Sequence, residues 1–250
     1  MNKNSNSYQI IYSAVMVLLV GTVLAFVYMA LKPKQDENIA NDQRKQILEA
    51  LKVSADDSNV KKLFDTHITK EFIVNSNGDV IDSAKNSAFN VDMKNNIKLD
   101  PAERKLPVYQ CVTADGQTKY ILPVYGAGLW GAIWGYVAVD DDGSTIYGTS
   151  YSHASETPGL GAKITELGFR SSFEGKKLFK DGIFTSVDVL KKGQENTDGA
   201  DYVDAISGAT ITSRGVKSML QDCLKYYDGF LKKLSQNNET QISDDQPKAN

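Results

Sequence analysis

The chain has 250 residues, 41% hydrophobic and 24% charged, which suits one or two folded domains with a sizeable core and excludes disorder throughout. Its 28 Lys and Arg against 31 Asp and Glu leave a net charge of −3, so no basic field exists to collect nucleic acid. Cys111 and Cys223 lie far apart with no Cys-x-x-Cys spacing, and His67 and His153 are the only histidines; no iron–sulfur, zinc or histidine-rich metal site is readable.

Residues 1–9 form an N-terminal segment. The run from Ile10 to Leu31 carries no charge, and as a helix rising about 1.5 Å per residue it covers a hydrocarbon core of roughly 30 Å. We read 10–31 as a single transmembrane helix. The rival is a cleaved signal peptide, but such an apolar region is usually about 7 to 15 residues long and ends in a small-x-small site that Met29-Ala30-Leu31-Lys32-Pro33 does not offer. Lys3 on one side and Lys32 and Lys34 on the other give the positive-inside rule no vote on orientation.

Residues 32–235 are then a globular domain, entered through Lys32-Pro33-Lys34-Gln35 as a short stiff link. Ile39, Ile47, Leu48 and Leu51 predict a helix, with Asp36 and Glu37 near its start and Lys52 near its end, as the helix dipole prefers. Strands are predicted at 72–74, 80–81, 108–112, 120–125, 133–139, 145–151 and 184–190. Turns at Asn75-Ser76-Asn77-Gly78, Asp115-Gly116 and Asp141-Asp142-Gly143 join neighbours as hairpins. The order predicts an α+β fold with mostly antiparallel strands, not a regular βαβ repeat. Cys111 falls in a strand and Cys223 on an apolar helix face, which reads both as core residues. Residues 236–250 are polar, lack aromatics and read as a mobile tail.

The last helix is the best defined. From Thr212 the apolar residues fall at Val216, Met219, Leu220, Cys223, Leu224, Tyr227, Phe230 and Leu231, one face of an amphipathic helix. The segment that opens it is Asp204-Ala205-Ile206-Ser207-Gly208-Ala209-Thr210. Ser207 and Thr210 are good N-cap types, and unpaired first-turn amides favour an anion there. Gly208 and Ala209 carry almost no side chain, which leaves the Thr210 hydroxyl accessible. Upstream, Gly126, Gly128, Gly131 and Gly135 interrupt an apolar stretch around Leu129 and Trp130, which is costly in strands unless something lies against the backbone. The turn His153-Ala154-Ser155-Glu156-Thr157-Pro158-Gly159-Leu160-Gly161, with Lys163 after it, can aim backbone amides at a ligand. Glu156 and His153 are candidate proton partners there, although such residues are ordinarily exposed loop residues.

Asp-x-x-Ser-Gly-Ala-Thr resembles the flavinylation motif of the FMN-binding domain family, in which the last threonine is esterified to the FMN phosphate by a flavin transferase using FAD. Gly128-Leu129-Trp130-Gly131 and Glu156-Thr157-Pro158-Gly159-Leu160-Gly161 are similar to two further segments of that family, in the same order. With the N-terminal span, the three motifs resemble the C subunits of Na+-translocating NADH:quinone reductases. The resemblance implies FMN held covalently on Thr210, with Asp204, Ser207, Gly208 and Ala209 flanking the attachment. It also implies that Leu129 and Trp130 stack on the isoalloxazine ring and that Glu156, Thr157, Leu160, Gly161 and Lys163 surround its polar edge. It implies a bacterial inner-membrane subunit, its globular domain outside the cytoplasm, that relays single electrons between partner subunits of a Na+-translocating, quinone-reducing complex. Without a Gly-x-Gly-x-x-Gly in a βαβ setting, NADH oxidation falls to another subunit. A single span cannot enclose a Na+ path. The G subunit of Rnf-type ferredoxin:NAD+ complexes, a free-standing extracytoplasmic flavin reductase and a non-redox sensing module remain as alternatives.

Overall fold

A computed structural model describes residues 6–194, 196 and 199–244. The chain divides into two compact units, Met1–Gln43 and Arg44–Asn250.

In the first unit every described residue belongs to one helix, α1 (Asn6–Ala50). Its side chains from Ile10 to Leu31 are exposed, a length and composition able to cross a membrane. The Thr22 hydroxyl donates to the Leu18 carbonyl at 2.7 Å, so this polar group within the run is satisfied by its own helix. Pro33 lies inside α1, which corrects the reading of residues 32–35 as a link and of 39–51 as a separate helix. A proline costs a helix interior about 3 kcal/mol. Helix-forming residues on both sides offset this, and an ion pair between Lys32 and Asp36 at 2.7 Å spans the turn that contains the ring.

The second unit is built on a six-stranded antiparallel sheet: β1 (Ile68–Val74), β2 (Val80–Asp82), β3 (Leu106–Val112), β4 (Thr118–Ala127), β5 (Ala132–Asp140) and β6 (Ile146–His153), in the order β2-β1-β3-β4-β5-β6. The predicted strands and hairpin turns between residues 72 and 151 fall within it. Both faces are covered, so successive residues of one strand serve different cores. Tyr109, Ile121, Tyr136 and Ala138 meet Ile47, Leu48 and Ala50 at the end of α1 and Val60 and Phe64 of α2 (Val60–His67). Val108, Leu122, Val137 and Val139 meet Val216, Leu220 and Leu224 of α5 (Thr210–Leu224) and Leu231 of the last helix. Each such side chain taken fully from water contributes roughly 1.5–3 kcal/mol. Between lie two short helices, α3 (Met93–Asn96) and α4 (Leu167–Arg170), and the strand pair β7 (Phe179–Lys180) and β8 (Ile183–Phe184).

Two further boundaries differ from the sequence reading. The strand predicted at 184–190 ends at Phe184 and resumes as β9 (Asp188–Leu190), because Ser186 takes a left-handed conformation with φ of 60° that no strand can hold. β9 pairs in parallel with β10 (Tyr202–Asp204). The last helix, α6 (Asp228–Asp244), continues through residues 236–244, which the sequence reading assigns to the mobile tail; residues 245–250 lie outside those described. Phe230, Leu231 and Leu234 fix its first turns in the core, and a helix so nucleated adds a backbone bond with each further residue.

Candidate flavin site

Three segments meet at the end of the sheet where β4, β5 and β6 run out. The first is the β4–β5 turn, closed by a bond from the Gly128 amide to the Gly131 carbonyl at 2.8 Å. The second is the loop after β6, started by Ala154 bonding to the Ala132 carbonyl of β5 at 2.9 Å and ended by a 3-10 turn, Gly161–Thr165. The third is the connection from β10 to α5. Helix α5 reaches this end because it lies against β4: Cys223 Sγ exchanges hydrogen bonds with the Tyr125 amide and carbonyl at 3.4 and 3.3 Å.

Glu156 ties the three together. It is 4% exposed, although it lies in a loop where such residues are ordinarily exposed. One carboxylate oxygen accepts from the Trp130 amide at 2.9 Å; the other accepts from the Thr212 hydroxyl at 2.6 Å. The Glu156 amide donates to His153 Nδ1 at 3.2 Å. A buried carboxylate is costly unless its oxygens are met, and here two different segments meet them. Gly161 permits the arrangement: a Cβ there would collide with the Glu156 carboxylate and stand 2.6 Å from Thr212 Oγ1.

The opening of α5 differs from the predicted cap. Ala209 occupies the N-cap position and makes no side-chain cap bond, and Thr210 is the first helical residue. Ser207 is exposed in the turn before it. Gly208 has φ of +78°, a conformation only glycine adopts freely, and this turn carries Ser207 away from the first-turn amides. Ser213 does the bracing instead, its Oγ accepting from the Ile206 amide at 3.0 Å while its amide donates to the Ala209 carbonyl at 2.9 Å.

Thr210 is therefore an exposed hydroxyl at the positive end of a 15-residue helix. Around it stand apolar side chains left in solvent: Leu129 at 45%, Trp130 at 66%, Leu160 at 42% and Ile211 at 52% exposure. Leu160 lies over Gly208, 3.0 Å from where a Cβ would be. A phosphate on Thr210 and a flat, partly apolar ring fit these donors and this rim. Glu156, Trp130, Leu160, Gly161 and Gly208 are thus brought together. Thr157 is exposed and shapes the loop through its carbonyl, which accepts from Leu160 and Ala162, both at 3.1 Å. Asp204 ends β10 in solvent, Leu129 and Ala209 flank the rim, and Lys163 is half-buried in the 3-10 turn. Sequence reasoning misses Thr212 as a partner of Glu156. The signal was available: Thr212 precedes Val216 by four, so it shares the buried stripe, and a polar residue there requires a partner. Cys111 and Cys223 are buried free thiols.

The FMN-binding domain family matches residues 128–225, from the β4–β5 turn to just past α5, the stretch that holds this arrangement. The structure is similar to that of the C subunit of the Na(+)-translocating NADH-quinone reductase from Parabacteroides distasonis, with 44% identity, a TM-score of 0.75, and coverage of 80% of this chain and 96% of that one. NqrC from Shewanella oneidensis is similar at 29% identity and a TM-score of 0.64, covering 79% and 98%. The corresponding protein of Haemophilus ducreyi is 31% identical over 241 residues, 91% of each chain. The chain belongs to the family of Na(+)-translocating NADH-quinone reductase C subunits.

Proposed function

We propose that this protein is the membrane-anchored electron-transfer subunit of a Na+-translocating NADH:quinone oxidoreductase, and that it carries FMN as a phosphoester on Thr210 and relays single electrons between partner subunits. The observation that carries the reading is the exposed Thr210 hydroxyl at the N-terminus of α5, beside the apolar rim and above the Glu156 clasp. FMN supplies both one- and two-electron redox chemistry when bound. The chain's part is to hold and orient it. Thr210 offers the attachment oxygen and the first-turn amides of α5 face the phosphate. Leu129, Trp130, Leu160 and Ile211 exclude water from the ring. The clasp of Glu156 on Trp130 and Thr212 sets the spacing between the ring-facing turn and the phosphate-facing helix. In this reading α1 anchors the protein in the bacterial inner membrane with the domain on the extracytoplasmic side. A flavin transferase matures it, with Asp204 and Ser207 in the segment that enzyme reads.

Thr210→Ala tests the attachment, read by intact mass and in-gel flavin fluorescence after coexpression with the flavin transferase. Alanine keeps the helix start while deleting the acceptor oxygen, so the FMN mass increment should vanish. Ser207→Ala should retain it, Ser207 being the other exposed hydroxyl of the segment. Thr212 is buried on Glu156 and is a poor acceptor. An increment that persists in Thr210→Ala, or maps to Ser207 in the unmutated chain, overturns the assignment.

A further inference from the structure

A large cleft lies away from the candidate flavin site, along the outer edge of β1. β3 pairs with β1 along its length, from Ile68 opposite Cys111 to Val74 opposite Leu106. β2 pairs with the other edge only at Ile73 and Val74. Among the described residues no strand lies beside that edge over Ile68–Phe72, a length of roughly 17 Å at about 3.3 Å per residue. A cleft of about 1240 Å³ follows it, bounded by these five residues and by the segment from Ser83 to Asn90. It wraps around the edge onto both faces of the sheet: Phe64 and Phe89 line it on one side, Phe72 and Phe230 on the other.

A strand's unsatisfied edge is a template for another chain, and proteins ordinarily blunt it. Here the edge is set in a cleft whose aromatic walls stand where an added strand would place alternate side chains. The charge is lopsided as well: Arg44, Lys61, Lys70 and Lys85 line the cleft against Asp65 and Glu71. Arg44 lies over the Phe64 and Phe89 rings at 6.0 and 5.1 Å, and Glu71 accepts from the Phe89 amide at 3.2 Å, which fixes the far wall. Burial pushes the Glu71 carboxyl up from the ordinary range, against the opposing pull of the Phe89 amide, Arg44 and Lys85.

We propose that the free edge of β1 accepts an extended, acidic segment of a partner subunit as an added strand, with main-chain bonds to Thr69–Phe72, apolar side chains over Phe72 and Phe89, and Asp or Glu facing Lys61, Lys70 and Lys85. A second copy of this chain is the wrong occupant, because pairing β1 with β1 would set these cations against their own counterparts. The inference rests on the proposed membership of a multi-subunit complex.

The test uses the full-length protein, free in detergent and within the complex purified from its native membrane. Hydrogen exchange over residues 68–72 should be at least tenfold slower in the complex. A photo-crosslinking residue at Lys70 should map to one acidic segment of another subunit. Lys70→Glu with Lys85→Glu should cut co-purification of the other subunits at least tenfold with flavin content unchanged, and Lys70→Gln with Lys85→Gln should give a smaller loss of the same kind. A protein that assembles with residues 68–72 exchanging as fast as when free, that crosslinks to lipid or to a second copy, or that tolerates the charge reversal, refutes the inference alone. One that co-purifies with no other subunit refutes both this inference and the proposed function.

Discussion

Removing the Glu156 side chain should uncouple the three segments of the candidate site before it unfolds the sheet. In Glu156→Ala the Thr212 hydroxyl, 1% exposed, loses its acceptor in a site water does not reach, which costs about 1–3 kcal/mol, whereas the Trp130 amide sits in an exposed turn and can turn to water. Adding the lost charge-assisted bond to Trp130 at the low end of its range, about 1.5 kcal/mol, gives a total of roughly 2.5–4.5 kcal/mol. Thr212→Val leaves the buried carboxylate one donor short, at about 2–3 kcal/mol. The double variant should cost less than the sum of the two, with a coupling of about 1.5 kcal/mol or more. Glu156→Gln keeps an acceptor for Trp130 and lets the Thr212 hydroxyl turn round to accept from the amide, so it should lose only about 1 kcal/mol. Gly161→Ala, whose methyl would be driven between the two groups, should resemble Glu156→Ala. The assay is urea unfolding at pH 7 of a fragment spanning residues 35–250, alongside flavin loading during coexpression with the transferase. Additive losses, with a coupling under about 0.5 kcal/mol, would show that Glu156 and Thr212 are neighbours without energetic connection.

That fragment should itself be soluble and monomeric, since it omits the exposed apolar run Ile10–Leu31; sedimentation with membranes as a folded monomer would contradict the anchor. Both cysteines should resist alkylation at pH 8 in the folded domain and react on unfolding, because burial pushes the Cys111 thiol up to about 12 and raises Cys223 as well. The same burial makes stability fall with alkali. A thiol whose folded pKa lies above its unfolded one loses its contribution as pH rises from about 9 to 12, and a urea midpoint that stayed constant over that window would be the contrary result. The purified flavinylated protein should not turn over NADH, for want of a dinucleotide fingerprint; brisk turnover in a spectrophotometric assay would end the carrier reading.

The sheet was legible because its strands are consecutive and their turns are marked: Asp115-Gly116 and Asp141-Asp142-Gly143 each join neighbours in the ladder. The order of the three motifs was legible for the same local reason. Burial of a loop residue was not, because Glu156 is enclosed by segments far from it in sequence, and no periodicity in its own loop records that. Pro33 misled in the other direction, as a local breaker overruled by the helix on either side. Ser207 and Thr210 have the composition of a cap, but the geometry of the turn depends on Gly208; no side chain makes the cap bond, and Ser213 braces the turn through the Ile206 amide instead.

The spacing of these contacts in the chain also bears on the order of folding. The meander from β3 to β6 is made of hairpins between adjacent strands, so its loops close cheaply and it can form early. The bond between Glu156 and Thr212 closes a span of 56 residues, and it should form only after α5 has settled on the sheet. Losses at this clasp should therefore appear as faster unfolding, with the refolding rate almost unchanged. Local opening that parts these three segments while the sheet stays intact should accordingly cost less than global unfolding, and native-state hydrogen exchange at the start of α5 should register it.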